Sequence, residues 1–137
     1  MKKLLLLSIA FLLFTTGCHK KEEDPSKEEI LTQSPWTGEK ITINFTDGTT
    51  TTENRDQEKL VFHTDYTYKK YIYNQLQDQG EWSFNEETYH LIFNSDSGET
   101  TDTEVKTLEA DKLELEYRKD MDGDGQKDQV KVSYRRE

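Results

Sequence analysis

The strongest constraint on the fold is the alternation of apolar and polar residues in two neighbouring segments, 80–84 and 89–94. Trp82 and Phe84 share one face of the first segment, because side chains alternate between the two faces of a strand. The second segment alternates in the same way. The polar residues 85–87 between them favour a turn. We therefore predict a β-hairpin in the middle of the chain.

Short alternating segments of the same kind continue on both sides of this hairpin. They lie at Ile41–Phe45, Thr49–Thr52, Leu60–Phe62, Tyr66–Tyr73, Thr101–Leu108, Leu113–Tyr117 and Val130–Tyr134, with a polar turn predicted at Asn74–Gln79. Beyond the N-terminal region, no long segment has the apolar period of a helix. The sequence predicts an all-β fold, an antiparallel meander of about eight strands that is either closed as a small barrel or folded as a small β-sandwich.

The first 17 residues have the pattern of an export signal. Basic residues at Lys2 and Lys3 precede the run Leu4–Phe14, which is apolar except for Ser8. At about 1.5 Å per residue, this run covers roughly half of a 30 Å hydrocarbon core, so a membrane-spanning helix is disfavoured. We predict that residues 1–17 are a cleaved signal peptide.

The segment Thr15-Thr16-Gly17-Cys18 resembles the lipobox of bacterial lipoproteins, with Thr15 where a Leu is more usual. The resemblance implies that Cys18 becomes the acylated N-terminus, carrying chains such as palmitate that attach the protein to a membrane. An ordinary secretory peptide is the alternative. Cys18 is the only cysteine, so an internal disulfide is excluded.

Residues 18–33 are strongly charged at their start, and we predict that they form an acylated, flexible tether before a domain at residues 34–137. Lys20 and Lys21 followed by acidic residues resemble the surface-export signal of some lipoproteins of Gram-negative bacteria. The resemblance implies a lipid-anchored protein of the outer membrane at the cell surface, and the periplasmic face is the alternative.

The formal net charge of −10 narrows the classes of partner. An acidic surface repels nucleic acid phosphates, so we expect no nucleic acid partner. The domain is small, and we expect it to be a monomer.

Four short motifs resemble the small lipocalin-like domains of lipoproteins. They are Trp36-Thr37-Gly38, the turn Phe62–Asp65 before an aromatic strand, Gly80-Glu81-Trp82 and Leu113–Leu115. The chain has Tyr66 where this family more often has Gly after the turn Asp. The resemblance implies a barrel with a cup for one small apolar molecule.

The resemblance makes the inward-facing aromatic and aliphatic residues the candidates for binding such a ligand. They are Tyr66, Trp82, Phe84, Tyr89, Leu91 and Phe93. A small barrel is just wide enough to hold one ligand or to be filled by its own side chains, so a filled core is the alternative. The two functional hypotheses are a binding module for a small apolar ligand, or for a protein or glycan at the loops, and a structural or interaction module with a filled core.

An acidic loop is the strongest chemical motif. Its spacing resembles a calcium-binding EF-hand loop, in which the candidate ligands are Asp120, Asp122, Asp124, Gln126 and Asp128. Gly125 supplies the bend, whereas Lys131 stands where the pattern has a bidentate Glu. The alternative is a polar hairpin turn without metal. We treat calcium as the one candidate cofactor.

The chain has none of the common catalytic motifs, and we expect that it is not an enzyme. His63 and His90 are the histidines of the domain that could pair with a carboxylate. No catalytic residue is predicted.

Overall fold

The computed structural model describes residues 23–136, and in that part of the chain it contains one helix and nine strands. The elements are α1 Lys27–Thr32, β1 Trp36–Asn44, β2 Thr50–Asn54, β3 Glu58–Phe62, β4 Thr67–Ile72, β5 Gln75–Asn85, β6 His90–Ser95, β7 Thr100–Leu108, β8 Lys112–Lys119 and β9 Asp128–Arg135. The predicted all-β class is confirmed. The predicted signal peptide, Cys18 and the start of the tether lie outside the described residues.

The strands form an antiparallel sheet that closes on itself. Sequential strands pair as neighbours from β3 to β9, and β1 closes the sheet by pairing with β9, with Ile41 opposite Val132. The other edge of β1 is shared, because β2 lies beside residues 40–44 and β3 lies beside Trp36 and Thr37. The result is a closed eight-stranded up-and-down barrel with one extra strand, which excludes the alternative of a β-sandwich.

Side chains alternate between the two faces of each strand, so every second residue points into the barrel. In β8, Leu113 and Leu115 are buried, whereas Lys112 is exposed and Glu114 is partly exposed. The buried apolar residues form one continuous core. Burial of each large apolar side chain contributes about 1.5–3 kcal/mol, so this alternation is the main stabilising term of the fold.

The turn between β4 and β5 is shorter than predicted. Asn74–Gln79 was predicted as a polar turn, but β5 already begins at Gln75. Tyr73 and Asn74 have positive φ angles of 51° and 61°. Two such residues form the tight turn that matches the twist of hairpin strands, so the polar residues that follow can continue as an exposed strand.

The helix α1 corrects the predicted boundary between tether and domain. Ser26 caps α1 and exchanges hydrogen bonds with Glu29 in a capping box. Ile30 and Leu31 are buried in the barrel core, with exposed fractions of 8% and 0%. Because these two residues supply the apolar contacts that the charged residues before them lack, residues 27–33 belong to the barrel domain.

The helix lies across one end of the barrel, which we call the helix end. The Trp36 indole N–H donates to the Leu31 carbonyl, and the Tyr66 hydroxyl donates to the Glu28 carboxylate. The guanidinium of Arg136 donates to the carbonyls of Ile30 and Leu31 and stacks on the Trp36 ring. The opposite end, where β1 finishes and β7 starts, carries no helix among the described residues, and we call it the open end.

Candidate binding cavity at the open end

A cavity of about 230 Å³ lies inside the open end of the barrel. Its apolar lining comes from inward-facing strand residues, among them Ile41, Leu60, Phe93, Leu115 and Val132. Its charged lining comes from Arg55, Glu58, Lys70, Asp78, Glu99 and Lys119. The cavity therefore combines apolar walls with charged groups.

A buried carboxylate, that of Glu58, occupies the wall of this cavity. Glu58 is 3% exposed, and the hydroxyl of Tyr134 donates a hydrogen bond of 2.6 Å to its Oε1. The ammonium of Lys70 lies 3.3 Å from the same oxygen. Burial, together with the charge of Glu58 and the hydrogen bond to it, raises the pKa of Tyr134. Glu58 is thus held by a neutral phenol and a cation.

Arg55 enters the cavity from the bend between β2 and β3. Its backbone N–H donates to the Glu39 carbonyl, and its own carbonyl accepts from Glu58 N. A Cβ on Gly38 would collide with that carbonyl, so the bend packs against β1 only because this residue is glycine. These backbone contacts place the Arg55 side chain in the cavity wall.

The guanidinium of Arg55 makes only long ionic contacts. Its Nη1 lies 3.9 Å from Glu58 Oε2, and its Nη2 lies 3.9 Å from Glu53 Oε2. Both distances exceed those of a hydrogen bond. Within residues 23–136, the buried Nε of Arg55 has no hydrogen-bond partner.

Asp78, a second carboxylate of the cavity, accepts three hydrogen bonds from the protein. The hydroxyls of Tyr68 and Ser95 donate to its two oxygens at 2.7 and 2.5 Å, and the backbone N–H of Gln79 adds a bond of 2.9 Å. Burial and then the hydrogen bond to Asp78 raise the pKa of Tyr68. Asp78 is therefore fixed by the protein itself.

The six predicted ligand-binding residues divide between the two ends of the barrel. Phe93 lines the cavity. Trp82 and Leu91 are buried in the core, with exposed fractions of 3% and 0%, and do not line it. At the helix end, Phe84 and Tyr89 pack edge to face with ring centroids 5.5 Å apart.

The remaining predicted residue, Tyr66, lies 49% exposed at the helix end. Its φ of 64° is a backbone conformation that glycine adopts without strain. This is the position at which the resembling family more often has Gly. The ring of Tyr66 packs on Trp82 with centroids 5.2 Å apart, so it covers the core from outside the cavity.

Sequence reasoning missed the polar half of the cavity. Glu58 precedes Leu60 by two residues, and Tyr134 follows Val132 by two, so the alternation that identified the core also placed both residues inward. Extending the predicted strand Leu60–Phe62 by two residues would have found Glu58, whereas Tyr134 already stood in the predicted strand Val130–Tyr134 and was not singled out as a cavity residue. Arg55 lies in a bend between two strands, where no periodic signal exists.

The structure brings three of the predicted metal ligands together. Ligand atoms of Asp120, Asp122 and Asp124 lie within 4.8 Å of one another at the surface. Backbone N–H groups of the loop donate to all three carboxylates. The Asp124 backbone N–H favours the charged form of Asp122, but desolvation and the neighbouring carboxylates outweigh it and raise the pKa of Asp122.

The other two predicted ligands have different contacts. Asp128 is fully buried, and its two oxygens accept from the backbone N–H groups of Thr46 and Met121 at 3.0 Å. It therefore connects the acidic loop to the turn after β1. The side-chain amide of Gln126 contacts the Asp124 carboxylate at 3.4 Å. Calcium binding stays a prediction.

Of the two histidines, His90 pairs with a carboxylate. Its Nδ1 lies 2.6 Å from Asp102 Oδ1, and both side chains are exposed on the outside of the barrel. His63 lies in the turn before β4, where its carbonyl accepts from the Trp82 indole at 3.2 Å. The expectation that the chain is not an enzyme stays a prediction.

Comparison of the chain with protein-family models found no match, and neither did comparison with curated proteins. The closed barrel is compatible with a lipocalin-like barrel, and the family resemblance rests on the motifs named above. No helix within residues 23–136 is long and apolar enough to cross a membrane.

Proposed function

We propose that the domain is a binding module that holds one small amphipathic molecule in the cavity at the open end. The observation that carries this proposal is the division of the interior: side chains fill the helix end, whereas a cavity of about 230 Å³ remains at the other. Small-molecule sites typically combine apolar walls with a few placed polar groups. The lining of this cavity has both, which favours an amphipathic ligand over the purely apolar one expected from the sequence.

The volume limits the size of the ligand. A volume of about 230 Å³ lies below the range of about 300–1,000 Å³ typical of sites for drug-sized ligands. The proposed ligand is therefore a small metabolite or one end of a longer chain.

Native mass spectrometry of the protein purified from cells tests this proposal. We expect a small-molecule adduct on the parent protein and its loss in Thr101→Phe, because Thr101 lines the cavity. The matched control is Thr100→Phe, at an exposed neighbouring position whose side chain points to the other face of β7. An adduct that survives in Thr101→Phe, or a bare mass for the parent protein, would contradict the proposal.

The proposed setting of this module is the outer membrane, with acyl chains on Cys18 as the anchor and the barrel at the cell surface. The lipobox-like segment and the lysines followed by acidic residues support this proposal. Metabolic labelling with palmitate, compared between the parent chain and Cys18→Ser, tests the anchor. Digestion of intact cells with an added protease distinguishes the cell surface, where the barrel is cut or released, from the periplasmic face, where it is protected.

The second candidate is a structural or interaction module whose acidic loop is ordered by calcium. The observation that favours it is the convergence of the Asp120, Asp122 and Asp124 carboxylates within 4.8 Å. Their mutual repulsion is the term that a bound cation would relieve. A native mass spectrum with and without a chelator separates the candidates, because calcium and an organic ligand add different masses.

A further inference from the structure

We infer that the molecule held in the cavity carries a carboxylate and that the guanidinium of Arg55 binds it. This inference rests on the proposed function of the cavity and names the chemical class of its ligand. Three observations carry it: the unused hydrogen-bonding capacity of Arg55, the charge around Glu58 and the apolar walls beside them.

The first observation is that the donors of Arg55 are not used by the described part of the chain. Its buried Nε has no partner there, and its two terminal nitrogens approach carboxylates only to 3.9 Å. The Nε is enclosed by protein atoms, so a ligand in the cavity would reach only the two terminal nitrogens. These two nitrogens fit the two oxygens of a carboxylate, so such a ligand group would satisfy them.

The second observation is the charge of the cluster. Within the cavity wall, Arg55 and Lys70 contribute two positive charges around the single negative charge of Glu58. Glu53 also approaches Arg55, but its side chain is 60% exposed, so water screens that contact. The cluster therefore keeps one positive charge on the cavity side.

The other charged groups of the lining do not cancel this charge at Arg55. Lys119 and Glu99 form an ion pair at 2.8 Å and neutralise each other. Asp78 keeps its negative charge, because it accepts hydrogen bonds only from the neutral donors of Tyr68, Ser95 and Gln79. It lies opposite Lys70 in the sheet, so the lining as a whole carries no net charge and the positive charge is local to Arg55. A ligand amine at Arg55 would meet a like charge.

The size of the charge favours a carboxylate over a phosphate. A phosphate monoester carries about −1.5 to −2 charges at neutral pH, which exceeds the single positive charge of the cluster. A carboxylate carries one. The apolar walls at Leu60, Phe93 and Leu115 then accommodate a short hydrocarbon portion next to the carboxylate.

The test compares three probes of equal chain length with different head groups: hexanoate, 1-hexanol and hexylamine. Each is titrated by calorimetry into the full chain purified in a mild non-ionic detergent, near neutral pH. We expect hexanoate to bind at least about tenfold more tightly than 1-hexanol, because a hydrogen bond to a charged group contributes about that factor or more. Hexylamine binds more weakly than either.

Variants at Arg55 identify the group responsible. Arg55→Gln removes most of the preference for hexanoate over 1-hexanol. Arg55→Lys keeps the positive charge but retains only part of this preference, because an ammonium lacks the planar pair of donors of a guanidinium. Glu53→Gln is the matched control, since Glu53 is the exposed partner of Arg55, and it leaves hexanoate affinity within about twofold. Each variant uses the same detergent, so uptake of probe by micelles cancels. Near-ultraviolet circular dichroism verifies that each variant is folded.

The outcomes separate this inference from the proposed function. Three results would overturn the inference that the ligand carries a carboxylate: equal binding of hexanoate and 1-hexanol, tighter binding of hexylamine, or full hexanoate affinity in folded Arg55→Gln. Each of them is still consistent with the cavity as a binding site. If none of the three probes binds and the parent protein also shows no adduct by native mass spectrometry, both the inference and the proposed function fail.

Discussion

Replacing Tyr134 by Phe removes one hydroxyl from the interior and leaves the rest of the side chain in place. That hydroxyl donates to the Glu58 carboxylate at 2.6 Å, between residues that are 4% and 3% exposed. The distance is typical of a charge-assisted hydrogen bond. Such bonds contribute about 1.5–3 kcal/mol to the free energy of unfolding, and we expect Tyr134→Phe to lose that amount.

The loss is measured by urea unfolding, followed through the fluorescence of the two tryptophans. For a domain of this size it also lowers the thermal midpoint by roughly 10 °C. The control is Tyr117→Phe, which changes a tyrosine of the same cavity without breaking the bond to Glu58. We expect the control to alter the free energy of unfolding by less than about 0.5 kcal/mol.

A double-mutant cycle with Glu58→Met isolates the interaction between the two side chains, because Met has a similar shape and no oxygen to accept the hydrogen bond. If the hydrogen bond stabilises the fold as argued, the coupling between Tyr134→Phe and Glu58→Met is about 1.5 kcal/mol or more. A coupling below about 0.5 kcal/mol would refute the reasoning, because the two side chains would then act independently despite their contact.

Three further predictions follow from other parts of the molecule. Leu31→Ala lowers the free energy of unfolding by about 2–5 kcal/mol in urea titrations, because a fully buried side chain at the helix end leaves a hole. Calcium raises the thermal midpoint of the protein, chelator reverses the shift, and Asp122→Asn abolishes it, since that carboxylate belongs to the cluster. The free energy of unfolding falls as the pH rises above about 10, the ordinary pKa of tyrosine, because the raised pKa values of Tyr68 and Tyr134 keep them protonated in the folded state while the unfolded state loses those protons.

Each of these predictions has a control or an outcome against it. The exposed change Glu23→Ala should leave stability unchanged, and an equally small effect of Leu31→Ala would mean that α1 does not stabilise the barrel. Asp56→Asn alters an acidic residue of a different turn and should keep any shift of the thermal midpoint by calcium. If calcium does not shift the midpoint of the parent protein, the predicted calcium site is wrong. An alkaline stability profile that is identical in the double variant Tyr68→Phe and Tyr134→Phe would refute the pH argument.

The strands were predictable because their signal is local. Leu113, Leu115 and the alternating residues of β9 identify inward positions from period two alone, and the structure buries them. Closure of the sheet between β1 and β9 depends on residues about 90 positions apart, such as Ile41 and Val132, and no local pattern specifies that pairing. The barrel rather than the sandwich was therefore inferred from the resemblance and established by the structure.

The cavity was harder to predict, because it is defined by charged residues whose contacts come from distant strands. Glu58 and Tyr134 are 76 residues apart in the chain and meet only because β3 and β9 pair with the two edges of β1. The sequence pointed instead to Trp82 and Leu91, since large apolar residues at inward positions fit a ligand cup and a filled core equally well. Only packing distinguishes these two roles.

The position of α1 determines the direction in which the chain approaches the barrel. The chain enters at the helix end through Ser26, while the cavity opens at the opposite end. Under the proposed anchoring, about eight residues separate Cys18 from Ser26, and a fully extended tether of this length spans at most roughly 30 Å. If both the proposed anchor and the proposed ligand are correct, the attachment point and the mouth of the cavity lie at opposite ends of the domain, and this arrangement favours exchange of the ligand with the aqueous phase over exchange with the lipid.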